Sequence, residues 1–262
     1  MTVGLKCFLH SRCTPGYPNL RDSYLLCVTT TTGKQPARLK VRSIRRLTIT
    51  VFLLAALLFS SAGTLRFWQA WLFVGLQAGL WVFFFVDFLR NDPQLVERRL
   101  QSKENQPEQR WFQRLWTAIT IPGFLLIGWD FRFGWTRHWL GAVPVVVVLV
   151  AQAAVVAGYW LVFWVMKTNT FAASTIRMET GQRVIEGGPY ALTRHPMYTG
   201  MIVTMLAVPV ALGSYVTVPI FALLVPTLIF RLIHEERTLR RELPGYAEYC
   251  ERTRYRLVPR VW

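Results

Sequence analysis

Residues 139–166 read WLGAVPVVVVLVAQAAVVAGYWLVFWVM. No Asp, Glu, Lys or Arg interrupts them. A helix crossing the hydrocarbon core of a bilayer needs about 20 predominantly apolar residues. This run exceeds that length without a charge, so it reads as a membrane span. Five more apolar runs flank it, at about Leu47–Gly63, Phe67–Val86, Leu115–Trp129, Met197–Leu212 and Tyr215–Ile233. Leu115–Trp129 and Met197–Leu212 are short, which suits tilted, half-buried or re-entrant segments. Gly213-Ser214 divides the last two runs and predicts an antiparallel helical hairpin. The expected fold class is all-α, a polytopic integral membrane helical bundle of about six spans ending in that hairpin.

The composition agrees. Of 262 residues, 53% are hydrophobic, 14% aromatic and only 17% charged, against about 25% charged in soluble domains. The mean hydropathy is +0.30. A soluble globule and a largely disordered chain are both excluded on these values.

Thirty Lys and Arg against fourteen Asp and Glu give a net charge of +16. A nucleic-acid binder would gather such charge on one folded face. Here the charge lies between apolar runs, so no nucleic-acid partner is expected. Six spans place both termini on one side. Segments 1–46, 87–114, 167–196 and 231–262 then hold all the basic residues except Arg66, Arg132 and Arg137. The positive-inside rule makes those four segments, and both termini, cytoplasmic. The expected location is a multi-pass integral membrane protein, in a bacterial inner membrane.

Residues 1–46 lack a continuous apolar core for a signal peptide. They read as a disordered basic tail, and 47–262 as the membrane-embedded domain. Cys7, His10 and Cys13 have no zinc-like spacing, so no metal is expected. Together with Cys27 and Cys250, the cysteines fall on the reducing side, and no disulfide is expected. In segment 87–114, Pro93 suits a helix start at Asp92, with Leu95, Arg98 and Arg99 on a short amphipathic turn. On the opposite side Trp129, Trp135 and Trp139 suit the bilayer interface, and Asp130 and Arg132 are expected to pair or to meet water. The sequence shows no Walker loop, GxGxxG, HExxH or GxSxG.

Polar residues concentrate in two pieces flanking the hairpin, Asn169–Gly200 and Arg231–Pro259. The hairpin returns the chain to its starting face, so the two pieces must be neighbours. In the first, Gly187-Gly188 permits positive φ and a close backbone approach. Pro196 suits a first helical turn, whose N–H groups and dipole form an anion site. In the second, Arg231 and Glu235 share a helix face. A charged pair where an apolar helix leaves the bilayer is costly unless it is matched or lines a cavity. His234 reads as an interfacial histidine.

These residues resemble the isoprenylcysteine carboxyl methyltransferase family, which includes related phospholipid methyltransferases. The likeness rests on Gly188-Pro189-Tyr190, Arg194-His195-Pro196, Tyr198, Gly200, Arg231, Glu235-Glu236, Leu239, Tyr246 and Tyr249. It is strongest over 169–262 and reaches back to about Arg46. It implies a membrane-embedded enzyme with a cytoplasmic pocket for S-adenosyl-L-methionine. Carried over by position, the cofactor contacts are Gln182, Arg183, Val184, Ile185, Tyr190, His195, Met197, Tyr198 and Glu235. Arg231 would hold a substrate carboxylate, and Arg194 joins it as a catalytic residue. The Leu-Pro-Gly before Tyr246 departs from the Phe-Gly of eukaryotic members. The implied reaction is methyl transfer to a membrane-associated apolar acceptor, expected to be a carboxylate: a prenylcysteine carboxylate on a prenylated small molecule or peptide, a phospholipid amine or other lipid-like molecule, or a small apolar acid. It needs alignment and exclusion of water more than acid–base chemistry.

Two rival readings remain. An NADPH-dependent membrane reductase of the sterol-reductase kind has a similar helical plan and would use Arg183 and the tyrosines. A non-catalytic membrane protein would leave the Arg231–Glu235 pair as structure only.

Overall fold

The structure is a computed structural model, and it describes residues 35–92, 107–169 and 184–262. It is helical throughout these residues, with no strand among them. The elements are α1 (Gln35–Ala62), α2 (Trp68–Asn91), α3 (Pro107–Phe133), α4 (Trp135–Trp139), α5 (Val145–Thr168), α6 (Pro196–Ala211), α7 (Val218–Ala222), α8 (Leu224–Glu242) and α9 (Tyr246–Arg252). A single 3-10 turn at Gly188–Ala191 precedes α6.

Every apolar run of the sequence is helical over most of its length. Among the described residues, four stretches are long and apolar enough to cross a membrane: Val41–Ala62, Trp68–Asn91, Val145–Thr168 and Val218–Glu242. Pro196–Ala211 is a shorter apolar helix, and Leu115–Trp129 forms the inner part of α3. The all-α membrane bundle expected from the sequence is the fold observed; against about six expected spans, four helices among the described residues are long and apolar enough to cross.

One local expectation changes. Residues 35–46 belong to α1 rather than to a tail. Long basic side chains can keep their heads in water while the backbone continues a helix into the bilayer, so basic character alone does not end the helix. Asp92 caps the end of α2, its N–H donating to the Phe88 carbonyl at 2.8 Å; the helix start read at Pro93 falls outside the described residues. Pro93, Leu95, Arg98, Arg99, Cys7, His10, Cys13 and Cys27 lie outside the described residues.

The principal core joins Leu58 of α1, Phe67 and Phe73 at α2, Ile127 of α3, Val155 of α5, Leu212 and Phe221, all almost fully buried. Large apolar side chains such as Phe52, Val146 and Phe230 point outward instead. Outward apolar surface is normal where the solvent is lipid tail rather than water. Helix pairing then depends on close packing of small residues. Gly158 of α5 and Gly200 of α6 supply it. A Cβ on Gly158 would fall 2.7 Å from the Gly200 carbonyl and 2.3 Å from Thr204 Oγ1. A Cβ on Gly200 would fall 2.7 Å from the Gly158 carbonyl. This contact brings the backbones of α5 and α6 together.

At the far end of the hairpin, Asp130 is only 2% exposed. Its partner is not Arg132. Asp130 accepts the Thr136 N–H at 2.7 Å and the Thr136 hydroxyl at 2.5 Å. The Thr136 Oγ1 accepts in turn from the Tyr215 and Val216 N–H groups, at 3.0 and 3.2 Å. One buried carboxylate thus fixes α4 and, through it, the turn of the hairpin. Arg132 instead lies over the Phe133 ring, 5.6 Å from its centroid.

Candidate active site

The two polar pieces meet where the hairpin closes, as topology required. The Tyr249 hydroxyl donates to the Tyr190 carbonyl at 2.8 Å. The Arg194 and His195 N–H groups donate to the Tyr255 and Arg256 carbonyls, each at 2.9 Å. Thr199 Oγ1 donates to the Leu257 carbonyl at 2.8 Å, and Arg252 pairs with Glu186. Residues 253–257 are thereby bound along the start of α6.

The 3-10 turn needs its glycine. Gly188 has φ +61°, and a side chain there would press Thr168 at 3.1 Å. The turn delivers Tyr190, whose hydroxyl accepts from Asn169 Nδ2 at 3.0 Å. Burial pushes the Tyr190 phenol up to about 12; the Asn169 hydrogen bond opposes this and the Glu235 charge adds to it. Burial likewise raises Tyr246 and Tyr249 above the usual phenol range.

Helix α6 begins at Pro196, with His195 at the N-cap position. The anion site expected there is narrowed by its own turn. Pro196 has no N–H, and the Tyr198 and Thr199 N–H groups turn back to the His195 carbonyl at 3.1 and 3.3 Å.

Two charged clusters face this point. In one, the Tyr198 hydroxyl donates to Glu235 Oε2 at 2.5 Å and accepts from Arg231 Nε at 3.2 Å. Arg231 also stacks over Phe112 of α3, its guanidinium carbon 4.7 Å from the ring centroid. In the other, Glu236 is 4% exposed. Its Oε2 accepts from Arg256 Nε at 2.9 Å. Its Oε1 stands 3.1 Å from Arg194 Nε and 3.5 Å from His195 Nε2. Neither of those two contacts has hydrogen-bond alignment. The His195 and Tyr198 rings meet edge-on at 5.7 Å.

The structure therefore gathers Arg231, Tyr198 and Glu235 in one chain of contacts, and Arg194 and His195 in the adjacent one. Tyr190 is tied to Asn169 and Tyr249 beside them. Val184 packs with Leu243, Tyr246 and Tyr249. Ile185 and Met197 are half-buried. Gln182 and Arg183 lie outside the described residues. Sequence reasoning gave no role to Arg256, Asn169 or Phe112, and named Glu236 only as part of a motif. Glu236 carried a signal, since a second carboxylate at a membrane exit also needs a partner. Arg256 carried none; its place depends on the chain returning over α6.

Among the described residues no group of three metal-ligating side chains forms. The arrangement suits a polar ligand with a cationic centre. Glu235 offers a carboxylate, and the half-buried Tyr190 offers an aromatic ring of the kind that attracts cations. The buried Tyr246 hydroxyl has no hydrogen-bond partner among the described residues.

Residues 146–244, from α5 through α8, match the family model described as phospholipid methyltransferase. This is a family of membrane methyltransferases related to the isoprenylcysteine carboxyl methyltransferases, and the match takes in the motif residues from Gly188 to Leu239. Among curated proteins, the Delta(14)-sterol reductase TM7SF2 of Mus musculus is 31% identical over 93 residues. That alignment covers 34% of this chain and 22% of the reductase. The chain thus spans about a fifth of that relative's length. The protein is an integral membrane protein in which residues 146–244 are similar to the phospholipid methyltransferase family.

Proposed function

We propose that the protein transfers the methyl group of S-adenosyl-L-methionine to a membrane-dissolved acceptor, and that the acceptor atom is a carboxylate oxygen. The observation that carries this reading is the Arg231–Tyr198–Glu235 chain of contacts inside the family-matching segment. The residues fit the cofactor: the Glu235 carboxylate and the Tyr190 ring for a cation, and the orphan Tyr246 hydroxyl for a polar group.

In this reading Tyr190, His195, Met197, Tyr198 and Glu235 hold the cofactor, with Val184 and Ile185 along its edge. Gln182 and Arg183 complete the set by sequence position. When bound, the cofactor supplies an already activated methyl group, so no strong base is required. The chain's own residues supply orientation and exclude water. Arg231 holds and aims an anionic oxygen through charge-assisted hydrogen bonds. Its charge disfavours a cationic acceptor. Tyr198 couples Arg231 to Glu235, so acceptor and cofactor sides are aligned by one hydroxyl. Arg194 acts as a positioning residue, setting His195 through the shared Glu236. The cofactor enters from the cytosol, the acceptor sideways from the bilayer, and both termini are cytoplasmic.

A second reading has its own support. The sequence match to a sterol reductase favours an NADPH-dependent reductase in the same bundle. Calorimetry with detergent-purified protein decides between them. Adenosylhomocysteine should bind at one saturable site and bind more weakly to His195→Ala. Binding of NADPH alone would replace the proposal with the reductase. Binding of neither, with protein shown to be folded, would leave the site structural.

A further inference from the structure

A groove of about 660 Å³ runs along the outer face of α3. Its lining changes character in one direction. Arg110 and Arg114, one turn apart, stand at one end. Gln113 and Thr117 follow, and Ala118, Ile121 and Pro122 form the other end. All of them are exposed. Phe112, Trp116 and Ile119 pack on the other side of the helix, into the bundle.

The depth of this face in the membrane follows from its neighbours. Phe112 lies under the Arg231 guanidinium, 4.7 Å from ring centroid to guanidinium carbon. Arg231 stands where the apolar stretch of α8 gives way to charge. The first turns of α3 are therefore level with a membrane exit. Trp111, 57% exposed beside the two arginines, suits the same interface. At about 1.5 Å per residue, Pro122 lies about 12 Å deeper than Arg114. One leaflet contributes about 15 Å to a hydrocarbon core about 30 Å thick. The basic end of the groove thus sits among headgroups and its apolar end among acyl chains of the same leaflet.

That order selects the occupant. Two guanidiniums one turn apart suit an oxyanion. A soluble anion has no use for the apolar half. None of the described residues lining the groove is Asp or Glu, so a choline or ethanolamine cation finds no counter-charge there and meets two like charges. An anionic phospholipid matches both halves. We propose that the groove holds an anionic phospholipid, its phosphate against Arg110 and Arg114 and one acyl chain along Ala118, Ile121 and Pro122. Arg110 and Arg114 each lie about 200° around the helix from Phe112. The lipid site is therefore separate from the Arg231 cluster and does not depend on the methyltransferase reading.

The test uses the full chain in phosphatidylcholine nanodiscs, with a trace of phosphatidylglycerol carrying an acyl-chain diazirine as probe. Adducts are mapped by mass spectrometry. Labelling should saturate and concentrate on α3 between Thr117 and Pro122. The same diazirine on phosphatidylcholine should label that stretch far less. Each arginine near an anionic headgroup contributes about fivefold. Arg114→Gln should therefore weaken labelling about fivefold, and Arg114→Lys, which keeps the charge, much less. Arg110→Gln with Arg114→Gln should bring labelling down to the phosphatidylcholine level. Ala118→Trp serves as a variant that leaves every charge in place. Ala118 is exposed, so the added ring should block the groove and abolish labelling with the unfolding temperature in pure phosphatidylcholine unchanged. Equal labelling by the phosphatidylcholine probe, adducts spread evenly over the outward faces of the helices, or labelling untouched by the double arginine change or by Ala118→Trp would each overturn the proposal.

Discussion

The Tyr198 hydroxyl stands between Glu235 Oε2, 2.5 Å away, and Arg231 Nε, 3.2 Å away. Arg231 and Glu235 lie one turn apart on α8, yet Tyr198 of α6 is the group shown joining them. A same-helix surface pair contributes about 0.3–0.5 kcal/mol. A hydroxyl donating to a carboxylate in a half-buried site is worth more, about 1.5–3 kcal/mol. The hairpin's two arms are therefore tied at the residues that the proposed function uses.

Replacing Tyr198 with Phe keeps the ring against His195 and removes only this junction. Adenosylhomocysteine affinity should fall about tenfold, as a loss of about 1.4 kcal/mol implies, with the protein still folded. Arg231→Ala should instead spare cofactor binding and abolish transfer. Calorimetry and a methyl-transfer assay on the same preparations separate the two. Loss of cofactor binding in Arg231→Ala would take the acceptor role away from that residue.

Glu236 should matter to stability where Glu235 matters to binding. Its carboxylate is buried among Arg194, His195 and Arg256. Removing the anion leaves Arg194, itself 7% exposed, without a counter-charge. Breaking a buried pair from one side costs about 3–5 kcal/mol. Glu236→Gln should therefore lower the unfolding temperature sharply, and Glu235→Gln much less. Equal melting of the two variants would remove the distinction.

The helical class was legible because span length and charge segregation are properties of composition along the chain. Pro196 marked the start of α6 and Gly213-Ser214 the turn, since backbone stereochemistry acts locally. The juxtaposition of Tyr190 with Tyr249 followed from topology, because an even number of crossings returns the chain to one face. What could not be read was which face of each helix a polar residue takes. Adjacent Glu235 and Glu236 serve different clusters because neighbouring positions on a helix diverge by about 100°. Arg256 reaches Glu236 only because residues 253–257 lie along α6, and no spacing rule encodes that return. Asp130 found Thr136 rather than Arg132 because a short hydroxyl on the following turn satisfies a buried carboxylate at less desolvation cost than a guanidinium.

Alkaline pH should loosen the site through Tyr190. Its phenol lies at about 12 against an ordinary value of 10.0. A raised folded value means that the native state holds the proton where the unfolded chain has released it. The stabilisation is complete below about pH 10 and is lost as pH rises toward 12. Tyr190→Phe should melt with a flatter pH dependence than the wild type between pH 9.5 and 11.5. Parallel slopes for the two proteins would rule Tyr190 out as the source.

The far end of the hairpin offers a test of whether the site is held in place from a distance. Asp130 reaches the Tyr215 and Val216 amides only through the Thr136 hydroxyl. Thr136→Val preserves shape and the N–H bond to Asp130 but removes the hydroxyl. One carboxylate oxygen and two backbone amides then lose their partner in a buried setting, at about 1–3 kcal/mol for each unmatched group. Thr136→Ser keeps the hydroxyl and should behave as the wild type. If the turn sets the register of α6 against α8, Thr136→Val should also weaken adenosylhomocysteine binding although no cofactor-binding residue has changed. Hydrogen exchange at Tyr215 and Val216 reads the turn directly. Faster exchange there with undiminished binding would show that the Gly158–Gly200 contact alone holds the register of α6.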